Sequence, residues 1–393
     1  MGMGRACYCT GAPMLAPPIS AGIARTPWIA FTPLASANGR AEPATGSLMP
    51  IGVNPGQSRS IPDTHQFDAF WQQLAGLPRC RRTVLSTPQA KGSSMPTPRH
   101  AIVNPNAPGV YHCISRCVRR AFLCGDGYEH RKRWLERRMD FLVSIMAIEL
   151  YAYQILSNHL HILLRIRPDL VEGWTDREVV RRYLRICPRR WKRRERGIPV
   201  NAPPTKEEID EVLRTPGRVD TLRERLSSIS WFMAKLKEPI ARQANQEDDC
   251  KGRFWEGRFR SFAVLDDEAI LAVSTYVDLN SVRAGVAERP EDSTHGSIAE
   301  RIAVLRKTSR TTTMKLLPIP GMTDRQYLRH VDAWARTIAP GKGSTPTELP
   351  PILERLGLNR DSWVGLLKTC WDNLSGTAIG CRDALEAETT RRY

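Results

Sequence analysis

Two histidines separated by one apolar residue stand in Ser157-Asn158-His159-Leu160-His161-Ile162, toward the end of an apolar, strand-like run that starts near Leu150. Alternate side chains of a strand share a face, so His159 and His161 point the same way and can share one metal ion. Among the eight histidines no other pair has this spacing. A bare His-x-His is more often an ordinary polar pair on a half-buried strand, so chemistry requires a third ligand and a reactive group from elsewhere. Over a hundred residues downstream, Asp266-Asp267-Glu268 opens a helical pattern with Ile270, Leu271, Val273, Val277 and Leu279, closing around Arg283-Ala284-Gly285. Acidic first-turn residues and a terminal glycine are what a helix there requires. Tyr276 and Asn280, four residues apart, share one face of it. An amide oxygen can complete a hard-cation site that two imidazoles begin, and a tyrosine one turn away could attack a phosphate held by that cation. A core tyrosine with a hydrogen-bonded tip fits the same spacing, which leaves both readings open.

Four ordered blocks carry a resemblance that bears on this choice. They are Gly109-Val110-Tyr111-His112-Cys113-Ile114-Ser115-Arg116, Ser157 to Arg165, Gly252-Arg253-Phe254-Trp255-Glu256-Gly257-Arg258-Phe259, and Tyr276-Val277-Asp278-Leu279-Asn280-Ser281-Val282-Arg283-Ala284-Gly285. In this order they resemble the single-tyrosine HUH transposases, most closely the REP-associated tyrosine transposases that act on palindromic single-stranded DNA. The resemblance implies that His159, His161 and Asn280 bind a divalent metal, Mg2+ or Mn2+, and that Tyr276 attacks the DNA phosphate. Two departures are visible: Ser157 stands where the family often has proline before Asn-His, and Ser281 where it usually has proline after the asparagine. Neither removes a chemical group from the site. The resemblance implies an α+β fold, an antiparallel sheet with helices mainly on one face (HUH, ferredoxin-like), with the site on the open side. Relatives include dimers that swap the tyrosine helix and forms that act alone, so a homodimer stays open.

The elements that must position these residues follow from the pattern. It predicts a strand from Tyr111 to Val118, a turn at Gly125-Asp126-Gly127, a helix over about 129–147 and then the histidine strand. Residues 220–246 read as a further helix. Between histidines and tyrosine lies the most basic run of the chain: Arg181, Arg182, Arg185, Arg189, Arg190, Lys192, Arg193, Arg194 and Arg196, against Glu195 alone, with Tyr183 and Trp191 interleaved. Cations neutralise phosphates and rings stack on splayed bases. A solvated helix face is the plain alternative; the density of like charge favours DNA contact by Arg189, Arg190, Lys192, Arg193 and Arg194. Arg116, Arg253, Arg258 and Arg260, inside or beside the family blocks, are further DNA-binding candidates.

Composition agrees with a nucleic-acid partner. Lys plus Arg total 58 against 41 acidic residues, a formal net charge of +17, which attracts polyanions without regard to sequence. No apolar run reaches the 18 residues a membrane span requires, so no membrane is expected. Ten scattered cysteines without a Cys-x-x-Cys pair fit neither a disulfide framework nor a cysteine-rich zinc site, and a reducing, cytoplasmic and nucleoid-associated location is the expectation. Residues 1–94 contain 11 of the 29 prolines and three acidic residues, which reads as a disordered extension. Residues 95–305 read as the transposase domain, with an insertion at about 187–220, and residues 306–393 as a small helical appendage in which Trp334, Trp363 and Trp371 form a core. The function expected is cleavage and rejoining of single-stranded, hairpin or palindromic DNA through a 5′-phosphotyrosine. The alternatives are a domesticated repeat-binding protein that mobilises nothing and, behind it, a water-using metal phosphohydrolase.

Overall fold

A computed structural model describes residues 85–86, 98–125, 127–308, 314–338, 363 and 377–392. The expected extension over 1–94 lies outside the described residues apart from Leu85–Ser86, as does most of the expected helical pattern over 348–385, Trp371 included.

The chain forms β1 (Leu85–Ser86), β2 (Gly109–Arg116), α1 (His130–Val143), β3 (Ile148–Ile155) and β4 (His159–Ile166). Five helices follow: α2 (Pro168–Glu172), α3 (Asp176–Ile186), α4 (Arg190–Glu195), α5 (Lys206–Leu213) and α6 (Arg218–Ser227). The rest comprises α7 (Ile229–Glu247), β5 (Arg260–Val264), α8 (Asp267–Asp278), α9 (Asn280–Arg283), α10 (Ser297–Arg306), α11 (Asp324–Ile338), β6 (Ala378–Gly380) and α12 (Arg382–Arg392). The sheet order is β1-β6-β5-β2-β4-β3, antiparallel except for the parallel β5–β6 pair.

The single apolar run read from Leu150 onward is in fact the two strands of a hairpin. Leu156 N–H donates to the His159 carbonyl (2.9 Å), which turns the chain at Ser157-Asn158 and sends β4 back between β3 and β2. Alternation then sorts the strands: Tyr111, Cys113, Leu160, Ile162 and Leu164 enter one core with α1, α3, α6 and α7, while Leu163 and Val264 enter a second with α8, α10 and α11. The α+β class holds, and helices are more numerous on the first face. The second face is nevertheless covered in part by the tyrosine-bearing α8, whose residues Ala269 through Asp278 are all buried.

The C-terminal segment departs from a purely helical appendage. Strand β6 joins the sheet between β1 and β5, and Tyr327, Val331, Trp334 and Trp363 share a core with Val273, Tyr276 and Val277 of α8. The helix expected over 220–246 is two helices, α6 and α7, parted at Ser228, whose side chain accepts from Trp231 N–H (3.3 Å) and so caps α7.

Candidate functional site

Strand β4 lies between β2 and β3, so the neighbours of each histidine are fixed by register. His159 stands opposite Arg116, and His161 stands between Ile114 of β2 and Gln154 of β3. Because His112 is two residues from Ile114 in β2, it faces the same side and reaches the His161 ring, with Nε2 and Nδ1 3.0 Å apart. The two ring planes are 20° apart, with centroids at 5.2 Å.

Above this face runs α8. The Asp266 side chain accepts from Ala269 N–H (2.8 Å) and caps it, and Asp267 and Glu268 complement its N-terminal dipole. Tyr276 presents its ring edge-on to His161 (5.5 Å between centroids) and to His112 (5.9 Å). One turn on, at the start of α9, the Asn280 amide nitrogen lies 3.1 Å from His161 Nε2. His159 and His161 are 4.9 Å apart, centroid to centroid. The four residues singled out in the sequence therefore converge, together with His112, which the sequence reading did not assign to the site.

Hydrogen bonding sets the tautomers. Asn158 Oδ1 accepts from His159 Nδ1 (2.6 Å), which leaves Nε2 of that ring without a proton. The Asn280 amide donates to His161 Nε2, which puts the His161 proton on Nδ1, where His112 Nε2 accepts it. Both candidate ligands thus carry a lone pair on Nε2. Burial pushes the His112 imidazole down to about 3. Burial, then Arg116 and Arg283, lowers His159 to about 4. Burial, then the neighbouring histidines and the same two arginines, holds His161 well below the ordinary histidine value. All three rings are neutral at neutral pH, the form that binds metals. Arg116 and Arg283 supply positive potential to the same spot, Arg283 being a cation beyond the DNA-binding candidates that the sequence offers.

The donor set fits a divalent cation. Adjacent ligands of one small hard cation lie about 3 Å apart, close to the 3.1 Å between His161 Nε2 and the Asn280 amide. A half-turn of the carboxamide brings Oδ1 to that place. Among the described residues no group of three His, Cys, Asp or Glu side chains is arranged to hold a metal, so the two histidines would need the amide as a third ligand.

Two expectations need correction. The site is expected on the open side of the sheet, yet His161, Asn280 and Tyr276 are buried, as is the neighbouring His112, with Tyr276 at 3 % residual exposure; His159 is half-buried. The basic run is expected to contact DNA, and for one member, Arg193, the structure differs, because it is 1 % exposed. Its guanidinium bonds both Glu208 carboxylate oxygens at 2.7 Å and the carbonyls of Pro199, Val200, Ala202 and Pro203. Arg189 and Lys192 share Glu211. Arg190, Arg194 and the 64 %-exposed Trp191 remain outward, but α4 follows the helices that cover the face opposite the histidines.

The other basic candidates lie nearer the site. Arg116 ends β2 opposite His159. Arg260 pairs with Ile114, in the same row of the sheet as His161. Exposed Arg253 and Arg258 flank Trp255, which bridges to Cys117 just beyond Arg116. Of the rings alternating with these cations, Phe254, Trp255, Phe259 and Phe262 are all buried. No helix among the described residues is long and apolar enough to cross a membrane.

No protein-family model matches the chain, and no curated protein does. Among solved structures, the chain is similar to one described as a REP-associated tyrosine transposase bound to a REP hairpin, at 12 % identity and a TM-score of 0.29, over 63 % of this chain and 96 % of that one.

Proposed function

We propose that this chain is a metal-dependent DNA endonuclease and strand transferase that cuts and rejoins single-stranded, hairpin-forming DNA through Tyr276. What carries the reading is the convergence of His159, His161, Asn280 and Tyr276, drawn from two segments over a hundred residues apart, around imidazoles that are neutral and have Nε2 free of a proton. His159, His161 and Asn280 would hold Mg2+ or Mn2+, since two nitrogens and an amide oxygen leave room for phosphate and water. Bound there, it would supply Lewis-acid polarisation of a scissile phosphate and a template for alignment.

The protein's own groups do the rest. The Tyr276 hydroxyl loses its proton and forms a bond to phosphorus as the bond to the 3′ oxygen breaks; that oxygen leaves and takes up a proton. The products are a 5′-phosphotyrosine and a free 3′-hydroxyl. A later strand hydroxyl reverses the step, and because one phosphodiester replaces another, no nucleotide triphosphate is consumed. Arg116 and Arg283 offset the phosphate charge. His159 is the accessible edge of the cluster, and the strand enters there.

Incubation of the purified protein with labelled palindromic single strands and manganese tests this. Tyr276→Phe abolishes the covalent adduct while DNA binding persists; an adduct that survives the change refutes the assignment. Cleavage without any adduct, tolerant of Tyr276→Phe, marks a water-using phosphohydrolase instead, and binding with neither marks a repeat-binding protein.

A further inference from the structure

The segment joining β2 to α1 clasps the turn that carries the histidines. Cys117 N–H donates to the Asn158 carbonyl (2.8 Å), Cys124 N–H to the Ser157 carbonyl (2.9 Å), and the Asn158 side-chain amide to the Arg120 carbonyl (3.2 Å). A Cβ on Gly125 would come within 2.5 Å of the Ser157 side chain, so only glycine allows this approach. Between these ties two consecutive arginines adopt left-handed backbone, Arg119 at φ 53° and Arg120 at φ 56°. Such conformations are disfavoured for residues with a Cβ and persist where the surroundings impose them, often at binding sites. Both arginines are exposed. Among the described residues neither guanidinium has an ion-pair or hydrogen-bond partner, in contrast to Arg189, Lys192 and Arg193. Two positions on, Phe122 is 49 % exposed.

We propose that Arg119, Arg120 and Phe122 form a single-strand clamp beside the histidine cluster. The two guanidiniums take backbone phosphates and the Phe122 ring stacks on one unpaired base. The inference rests on the DNA reading above. A duplex hides its base faces from such a ring, whereas a single strand offers them, and one isolated phenyl ring gives a lipid surface little to hold. Asn158 couples the clamp to the site, because it bonds the Arg120 carbonyl with one end of its amide and His159 Nδ1 with the other. A strand gripped here lies next to the most accessible imidazole.

The test is the salt dependence of binding of a fluorescent single-stranded hairpin to Tyr276→Phe protein, in which no cleavage intervenes. Each phosphate contact on a single strand contributes roughly 0.7 to the slope of log affinity against log salt, so Arg119→Gln with Arg120→Gln lowers the slope by about 1.4. The corresponding lysine pair retains it. Phe122→Ala weakens single-strand binding about tenfold, the worth of one stacked base, with the slope unchanged; Phe122→Trp restores it, and duplex binding is indifferent to both. An unaltered slope in the glutamine pair, or equal loss on duplex and single strand in Phe122→Ala, overturns the clamp. Adduct formation by protein with Tyr276 intact is read separately: an adduct with unaltered slopes overturns the clamp alone, altered slopes without an adduct support the clamp and overturn the chemistry, and no binding at all overturns both.

Discussion

His112 Nε2 lies 3.0 Å from His161 Nδ1, with the two ring planes 20° apart. His112 therefore accepts the proton that Asn280 keeps off the far nitrogen of His161, and it does so from a different strand, 49 residues earlier. Partners that orient a ligand histidine in this way typically govern metal affinity by ten- to a hundredfold. Replacing His112 by leucine is expected to lower Mn2+ affinity by roughly that factor in calorimetric titration. His112→Asn, which keeps a hydrogen-bonding group, loses less. Equal affinity in wild type and the leucine variant would mean that the contact does not orient the ligand.

The pair Arg193–Glu208 is a structural staple. Arg193 joins α4 to α5 and to the carbonyls of the loop between them, with both partners almost fully buried. Removal of one member of such a pair strands a charge, so Arg193→Ala is expected to cost about 3–5 kcal/mol in urea denaturation. Exposed Arg190→Ala should stay within about 0.5 kcal/mol. The hydrogen bond from Arg193 holds the Glu208 carboxyl below its ordinary value. For an acid depressed in the folded state, the stabilisation is present above the unfolded value of about 4.3 and is lost as pH falls through the lower folded value. The stability gap between wild type and Glu208→Gln should accordingly close on acidification; a gap independent of pH would show that the carboxylate charge contributes nothing.

What the sequence made legible, and what it hid, follows from the range of the interactions. The period-two spacing of His159 and His161 and the one-turn spacing of Tyr276 and Asn280 are local, and each pair shares a face as expected. The β3–β4 turn escaped notice because Leu156-Ser157-Asn158 contains no glycine or proline to punctuate the apolar run. His112 escaped because only strand register brings it to His161, and register is a long-range property. A run of cations likewise does not show which member a distant glutamate will bury, and Glu208 takes Arg193. Neither could local pattern show that α10 and α11 close over α8, or that β6 would find β5 across more than a hundred residues.

Asp278 lies between the candidate nucleophile and the candidate amide ligand in sequence, fully buried, and it ties the tyrosine helix to the C-terminal segment. Tyr327 of α11 donates to its Oδ2 (2.7 Å), and Ser297 at the start of α10 donates to Oδ1. Burial raises its carboxyl above the ordinary value, opposed by Ser297, Arg301 and Tyr327. Tyr327→Phe removes a donor from a buried carboxylate and is expected to cost about 1–3 kcal/mol. An acid raised in the folded state favours folding at low pH, and that contribution is lost as pH rises from the unfolded value of about 3.9 through the folded one. Because the lost hydroxyl stabilises the charged form, the phenylalanine variant should fall further below wild type at pH 7 than at pH 4. Truncation after Arg306 removes the same donor along with Val331 and Trp334, so it should lower stability more than Tyr327→Phe does and diminish adduct formation with it. A truncated protein that melts like wild type and forms adduct at the same rate would show that α8 holds Tyr276 in place without its C-terminal cover.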